Sequence, residues 1–422
     1  MPKVIWILLY FLCNFSRCDC YNPSIEDNID IDLGRPLHSH VFKESSTDLS
    51  TRSDIKRHDR AGRDYYHEVT FIIQQKNMDE LIRILHDVSD PYSPNYGQHW
   101  TRDEVVGLTS NAVGRDAVAT YLHMNGASVI SETPAGEYIT AKAPIKVWEK
   151  MFNTEFFLFT LTHRDNSIET VIRAADYWIP RDLNEHVASV LNTIEILGKP
   201  FRHRSRAPPA SKTSKFGSTE VGSMTPPKLK AYYNSSMAMG SIDSTQAIYA
   251  CEEQYYSPAN LVDFQADQDS AVMPAVNEYG DHASDEMCQI SSINCEEGNA
   301  DMQYITTMSP LSPTTFWYDD SWYTNWLITV ANSVNPPKVL SISYDTPETG
   351  LPASYFDAFN VQAIKMGTMG VTIVGAAGDD GANSQTCGYE AGFLAASPYV
   401  LSVGATMVSQ TTHRFRSTLS VF

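Results

Sequence analysis

From residue 67 onward the chain alternates between short stretches of strand-like patterning and longer stretches of helical patterning. Residues 67–73 read as a strand, and 78–88 set Leu81, Ile82 and Leu85 on one face of a helix that stops at Asp90-Pro91. The loop Asp90-Pro91-Tyr92-Ser93-Pro94-Asn95-Tyr96-Gly97 is dense in turn formers. Helices are predicted near 102–108 and 112–124, the second ending at Asn125-Gly126, and strands near 128–131, 138–143 and 155–162 flank a helix around 145–152. Short strands of this kind interleaved with helices predict a compact α+β domain over 66–200.

Two stretches break the pattern. Residues 19–65 are polar, poor in aliphatics and without a period, which predicts a flexible lead-in. Residues 201–223 carry Arg202, Arg204 and Arg206, then Pro208-Pro209 and a run of Ser, Thr, Lys and Gly. This is the composition of an exposed linker with a processing site. Ahead of both, residues 1–18 hold one Lys, an apolar run from Val4 to Phe15 and then small or polar residues. That run is too short to span a bilayer and has the layout of a signal peptide, with Ser16 and Cys18 suited to a cleavage site.

The second half, 224–422, has a different texture. A helix over 225–234 has Pro in its first turn. A strand at 246–249, a helix at 257–264, an acidic insertion, a helix containing Glu297 and Asp301, and a helix near 326–333 come next. Two apolar runs, 338–344 and 371–377, read as buried parallel strands, and the helical pattern of 353–366 between them makes a βαβ unit. The second run ends in Gly378-Asp379-Asp380-Gly381. Glycines around an acid ordinarily mark a tight turn, but carboxyl ends of parallel strands are where α/β proteins gather functional groups, which raises Asp379 above the other acids.

Charge sharpens the division. The net charge of -19 is concentrated downstream, with 21 acidic against 6 basic residues in 221–422 and 29 against 25 before that. So acidic a region has no basic surface for nucleic acid, and its self-repulsion relaxes as carboxylates protonate, which suits an acidic compartment. No later segment is apolar enough to predict a membrane span. Entry into the secretory pathway permits disulfides; Cys288 and Cys295 are the local candidates, although their spacing alone leaves the pairing open, and Cys251 and Cys387 have no evident partners. Asn234-Ser235-Ser236 is a glycosylation acceptor. No His-Glu-x-x-His and no Asp-Thr-Gly phrase occurs, which speaks against zinc-peptidase and pepsin-type chemistry.

The candidate chemistry centres on Glu297-Gly298-Asn299-Ala300-Asp301. On a helix the two carboxyls lie one turn apart on one face. Such a pair is either an acidic patch at a helix start or a couple tuned for proton transfer, one member keeping its proton longer.

Six phrases, in order, resemble the sedolisins, the serine-carboxyl peptidases that include tripeptidyl peptidase. They are Val88-Ser89-Asp90-Pro91 with Ser93-Pro94-Asn95-Tyr96-Gly97, the opening Thr225-Pro226 to Asn234, Glu297-x-x-x-Asp301 before Met302-Gln303-Tyr304, Ser341-Ile342-Ser343-Tyr344, Gly378-Asp379-Asp380-Gly381, and Ala396-Ser397-Pro398-Tyr399-Val400 with Val403-Gly404-Ala405-Thr406. The resemblance implies a subtilisin-like doubly wound parallel sheet, incomplete at residue 422, preceded by an α+β ferredoxin-like pro-domain of the pro-kumamolisin type. It implies Glu297 as general base, Asp301 as the carboxyl that orients it, and Asp379 in the oxyanion hole. It further implies peptide or protein substrates, a pro-domain that meets its own peptidase domain, and residence outside the cell or in the lysosomal or vacuolar lumen. The roles are coherent at acid pH, where Glu still accepts a proton and Asp, protonated, donates a hydrogen bond.

The departures are equally specific. The family's nucleophilic serine lies in a Gly-Thr-Ser-x-Ser-x-Pro phrase, absent from 1–422, and its Ca2+ ligands fall in the same missing C-terminal part. Gly298, Asn299 and Ala300 stand where the family favours Ala, Ser or Thr, and a larger aliphatic; Leu394 replaces a usual proline and Asp345 a usual glycine. Two expectations therefore stand side by side: an acid-acting peptidase zymogen, or a non-catalytic relative acting as inhibitor, chaperone or decoy.

Overall fold

The computed structural model describes residues 39–46, 54–163, 167–197, 224–268, 275–344, 351–378 and 392–404, with 346 and 348. The first half is built from antiparallel sheets. Strands β1 (His40–Ser45) and β2 (Ile55–Arg60) precede β3 (Tyr66–Ile73), helices α1 (Met78–Ser89), α2 (Arg102–Thr109) and α3 (Ala112–Met124), then β4 (Ser128–Glu132), β5 (Tyr138–Pro144), α4 (Ile145–Phe152), β6 (Phe156–Thr162), β7 (Ile168–Ala174), β8 (Asp176–Pro180) and β9 (Val187–Leu191). They form a four-stranded sheet in the order β4-β5-β3-β9, a three-stranded sheet β2-β6-β7 and a pair β1-β8.

The lead-in expectation for 19–65 is corrected by β1 and β2. β2 reads Ile-Lys-Arg-His-Asp-Arg and is exposed along most of its length, so it shows no apolar alternation, yet it pairs antiparallel with β6. β6 supplies the apolar positions, Phe159 and Leu161 among them, that bury the sheet face. The core of this half is Val69, Phe71, Trp148, Phe152 and Tyr177 with their neighbours.

Helix termini follow their sequence signals. Thr101 caps α2 through a reciprocal capping box with Glu104, and α1 stops at Asp90 ahead of Pro91, as the pattern predicts.

The second half contains α5 (Pro226–Tyr232), β10 (Gln246–Ala250), α6 (Pro258–Asp267), β11 (Val276–Tyr279), α7 (Asp285–Ile290), α8 (Glu296–Met308), β12 (Thr314–Tyr318), α9 (Tyr323–Ala331), β13 (Val339–Ile342), α10 (Ala353–Thr368), β14 (Thr372–Ala376), α11 (Phe393–Ala396) and β15 (Leu401–Val403). All six strands run parallel, in the order β11-β12-β10-β13-β14-β15. Successive residues of β10 face opposite sides: Ala247 and Tyr249 join the core with α9 and α10, whereas Ile248 and Ala250 join the one with α6 and α8. The sheet is thus covered by helices on both faces. The chain passes from β12 on one side of β10 to β13 on the other, so strand order reverses at β10, and the crevice beyond β10 and β13 is the place where such sheets hold functional groups.

The halves share a core. Ile72, Tyr138 and Leu191 pack with Phe359, Ala363 and Met366 of α10, and Leu81 and Val105 with Ile364. Polar contacts cross as well: Lys365 pairs with Glu137 and reaches Gln75 Oε1 at 2.6 Å, Gln362 donates to Tyr138 Oη at 2.9 Å, and Arg102 donates to the carbonyls of Ala331 and Ser333 at the end of α9.

Candidate active site

The acid pair lies at the start of α8. A disulfide between Cys288 and Cys295 closes the turn ahead of it, so the open pairing question resolves as Cys288–Cys295. Cys295 is the residue at the helix N-cap, and Glu296 and Glu297 fill the first turn, where the helix dipole favours negative charge. Cys251 is a buried thiol; Cys387 lies outside the described residues.

Three contacts fix this first turn against the loop that follows β10. The Glu297 N–H donates to Gln254 Oε1 at 3.3 Å, and the Ser257 N–H donates to Asn299 Oδ1 at 2.8 Å. Between them, a Cβ at Gly298 would fall far inside van der Waals contact with the Tyr255 carbonyl oxygen. The loop reaches this position through Glu252 and Glu253, both left-handed at φ 56° and 55°. Two departures from the family pattern thereby acquire a physical account. Gly298 is what lets the loop touch the helix, and Asn299 is the acceptor that ties down the start of α6.

Asp301 sits one turn further on. It keeps partial solvent contact, but protein encloses it closely enough that burial, followed by the charge of Glu297, pushes its carboxyl well above the ordinary range. Opposing this, the Ser343 hydroxyl donates to Asp301 Oδ1 at 2.7 Å. Ser343 lies directly after β13, at the strand-order reversal, and neighbouring Tyr344 is buried with its hydroxyl 3.4 Å from the Cys251 carbonyl. A carboxyl held mostly neutral beside a second carboxyl is an arrangement that can hold and pass one proton.

The structure therefore brings Glu297 and Asp301 together on one helix beside the point where strand order reverses. Asp379, the third expected residue, lies outside the described residues. β14 ends three residues before it, and Gly378 turns the chain at φ 82°. The sequence alone assigns no role to Gln254, Asn299 or Ser343. For Ser343 a signal exists, a hydroxyl just past a buried parallel strand. Among the described residues no three His, Cys, Asp or Glu side chains come together as metal ligands.

Residues 53–196 match the pro-kumamolisin activation domain. The chain is 27% identical to physarolisin of Physarum polycephalum over 86% of its length and 64% of that protein's. It is 25% identical to mouse tripeptidyl-peptidase 1 over 80% of its length and 61% of that protein's. The chain thus spans somewhat less than two thirds of the relatives it matches. A solved Pseudomonas sedolisin, a serine-carboxyl proteinase complexed with pseudo-iodotyrostatin, overlaps 44% of this chain and 55% of its own at 20% identity with a TM-score of 0.35, too low to argue from. With an activation domain over 53–196 and likeness to physarolisin and tripeptidyl-peptidase 1 along most of its length, the chain is similar to peptidases of the sedolisin type.

Proposed function

We propose that this chain is an acid-acting serine-type peptidase in its zymogen form, working outside the cell or in the lysosomal lumen on peptide or protein substrates. In this reading Glu297 is the general base, Asp301 orients it, and Asp379 donates to the oxyanion. The observation that carries the reading is the placement of Glu297 and Asp301 on the first turns of α8, beside the strand-order reversal. Near pH 4 a histidine base is protonated, whereas a glutamate still accepts a proton.

We read the first half as a ferredoxin-like activation domain, because β3, β4, β5 and β9, numbered one to four in chain order, lie side by side as 2-3-1-4 with helices after the first and third. The parallel sheet is read as subtilisin-like. The boundaries follow: activation domain over 66–200, linker with processing site over 201–223, peptidase domain from 224, with the lead-in now contributing strands to the first of these. Calcium remains an expectation of the family.

A second reading is a non-catalytic inhibitor, chaperone or decoy. One experiment separates the two. The 422-residue protein, acidified to pH 3–7 and processed in 201–223, is assayed on an unfolded protein and on a tripeptide amide. No turnover is expected, because residual rates without a nucleophile are only about 10³ to 10⁴ over water. Fusing a downstream segment that carries the serine phrase should produce turnover with an acidic optimum, abolished by Glu297→Ala. Robust turnover of the unextended chain would show the nucleophile to lie elsewhere, and turnover of the extended chain insensitive to Glu297→Ala would end the base assignment.

A further inference from the structure

We propose that Ser343 is a positioning residue for the acid pair: through its hydroxyl it fixes Asp301 and governs where the proton shared by Glu297 and Asp301 rests. In its catalytic meaning the proposal depends on the function proposed above; in its chemistry it depends only on the geometry.

Asp301 Oδ1 receives one hydrogen bond among the described residues, the 2.7 Å donation from Ser343 Oγ. No cation faces it. From its own helix comes the Glu297 carboxyl, and from the end of β13 the Tyr344 phenol, kept neutral by burial. Among the described residues one hydroxyl offsets the desolvation of Asp301, and a hydroxyl that donates favours the ionised form. Without Ser343, Asp301 would hold its proton more tightly and return it less readily. With Ser343 the ionised form of Asp301 is favoured, so its proton is given up more readily.

Ser343 is itself held rigidly. Ile342 before it is buried in the core with α9 and α10, and strand alternation turns Ser343 away from that core, the side on which Asp301 receives its bond. Tyr344 after it is buried and reaches across to the end of β10. A serine between two anchored neighbours has little freedom to point elsewhere, so it acts as a preorganised donor.

A serine that only fills space would leave the Asp301 proton where it is when replaced. The test is a pH titration of the full chain by infrared difference spectroscopy, with the protonated-carboxyl band of Asp301 assigned by its loss in Asp301→Asn. Ser343→Ala should move the midpoint of that band up by about one pH unit, the equivalent of one hydrogen bond to a charged group. Ser343→Thr, which keeps the hydroxyl, should leave it in place. An unmoved midpoint in Ser343→Ala overturns the proposal. So does an equal shift in Ser343→Thr, since the effect would then follow packing rather than the donor. Neither readout needs peptidase turnover, so the outcome is independent of whether the proposed activity is found.

Discussion

Glu137 and Asp301 are both enclosed carboxyls, and their surroundings are opposite. Glu137 meets a cation: Lys365 of α10, 5% exposed at its side chain, pairs with it across the contact between the two halves. Among the described residues Asp301 meets a second carboxyl and one hydroxyl. The first arrangement cancels charge where the halves pack together. The second leaves a proton without a settled home at the edge of a sheet. A buried charge with a partner is a settled structural contact, whereas one with a competitor is the kind of group that active sites use.

The contrast can be broken most strongly at its satisfied end. Lys365→Met strips Glu137 of its cation and should cost about 3 to 5 kcal/mol of unfolding free energy, since an uncompensated buried charge remains. Adding Glu137→Leu should recover most of that loss. Denaturant titrations of both variants decide it; equal stability of the single variant and the parent would mean the pair is not buried in solution.

Acid attacks the first half through a different group. His67 Nε2 is 2.7 Å from the Asn192 carbonyl, and burial pushes its ring down to about 4, with the Arg173 guanidinium adding to the effect. The unfolded ring protonates near 6.5, so its contribution is fully present above that pH and is lost as pH falls to about 4, roughly 3 kcal/mol in all. His67→Gln should flatten stability against pH between 6.5 and 4. A slope unchanged in that variant would assign acid sensitivity to other groups.

The smallest effect tests the seat of the acid pair. Gly298→Ala improves helix propensity by about 1 kcal/mol but drives a methyl into the Tyr255 carbonyl, and overpacking of this kind costs about 1 to 3 kcal/mol. A net loss of about 1 kcal/mol is expected. A gain in thermal stability would mean that the loop after β10 stands away from α8.

Much of the element order was legible because it rests on local pattern. The run predicted as a strand over 338–344 contains β13, Val339–Ile342, and the helix predicted over 353–366 is α10, Ala353–Thr368. Pro226 and Pro258 each sit in the first turn of a helix, after Thr225 and Ser257. β2 and β12 were not legible. β2 is exposed and charged, and borrows its stability from β6; β12 is five residues long behind Pro310 and Pro313, and gains its place from pairing on both sides.

The sequence by itself determined that Glu297 and Asp301 share a helix face, because that spacing is a property of the helix and needs no other part of the chain. It could not determine what stands opposite them. Ser343 is 42 residues from Asp301 and Gln254 is 43 from Glu297, and only the reversal of strand order at β10 carries the ends of β10 and β13 to the start of α8. Gly298 shows the same division: its helix cost is readable from the residue type, but its necessity comes from a carbonyl delivered by a distant loop. Pairing across such distances depends on which surfaces the whole chain can bury together, and that is decided only when the sheet closes around its core.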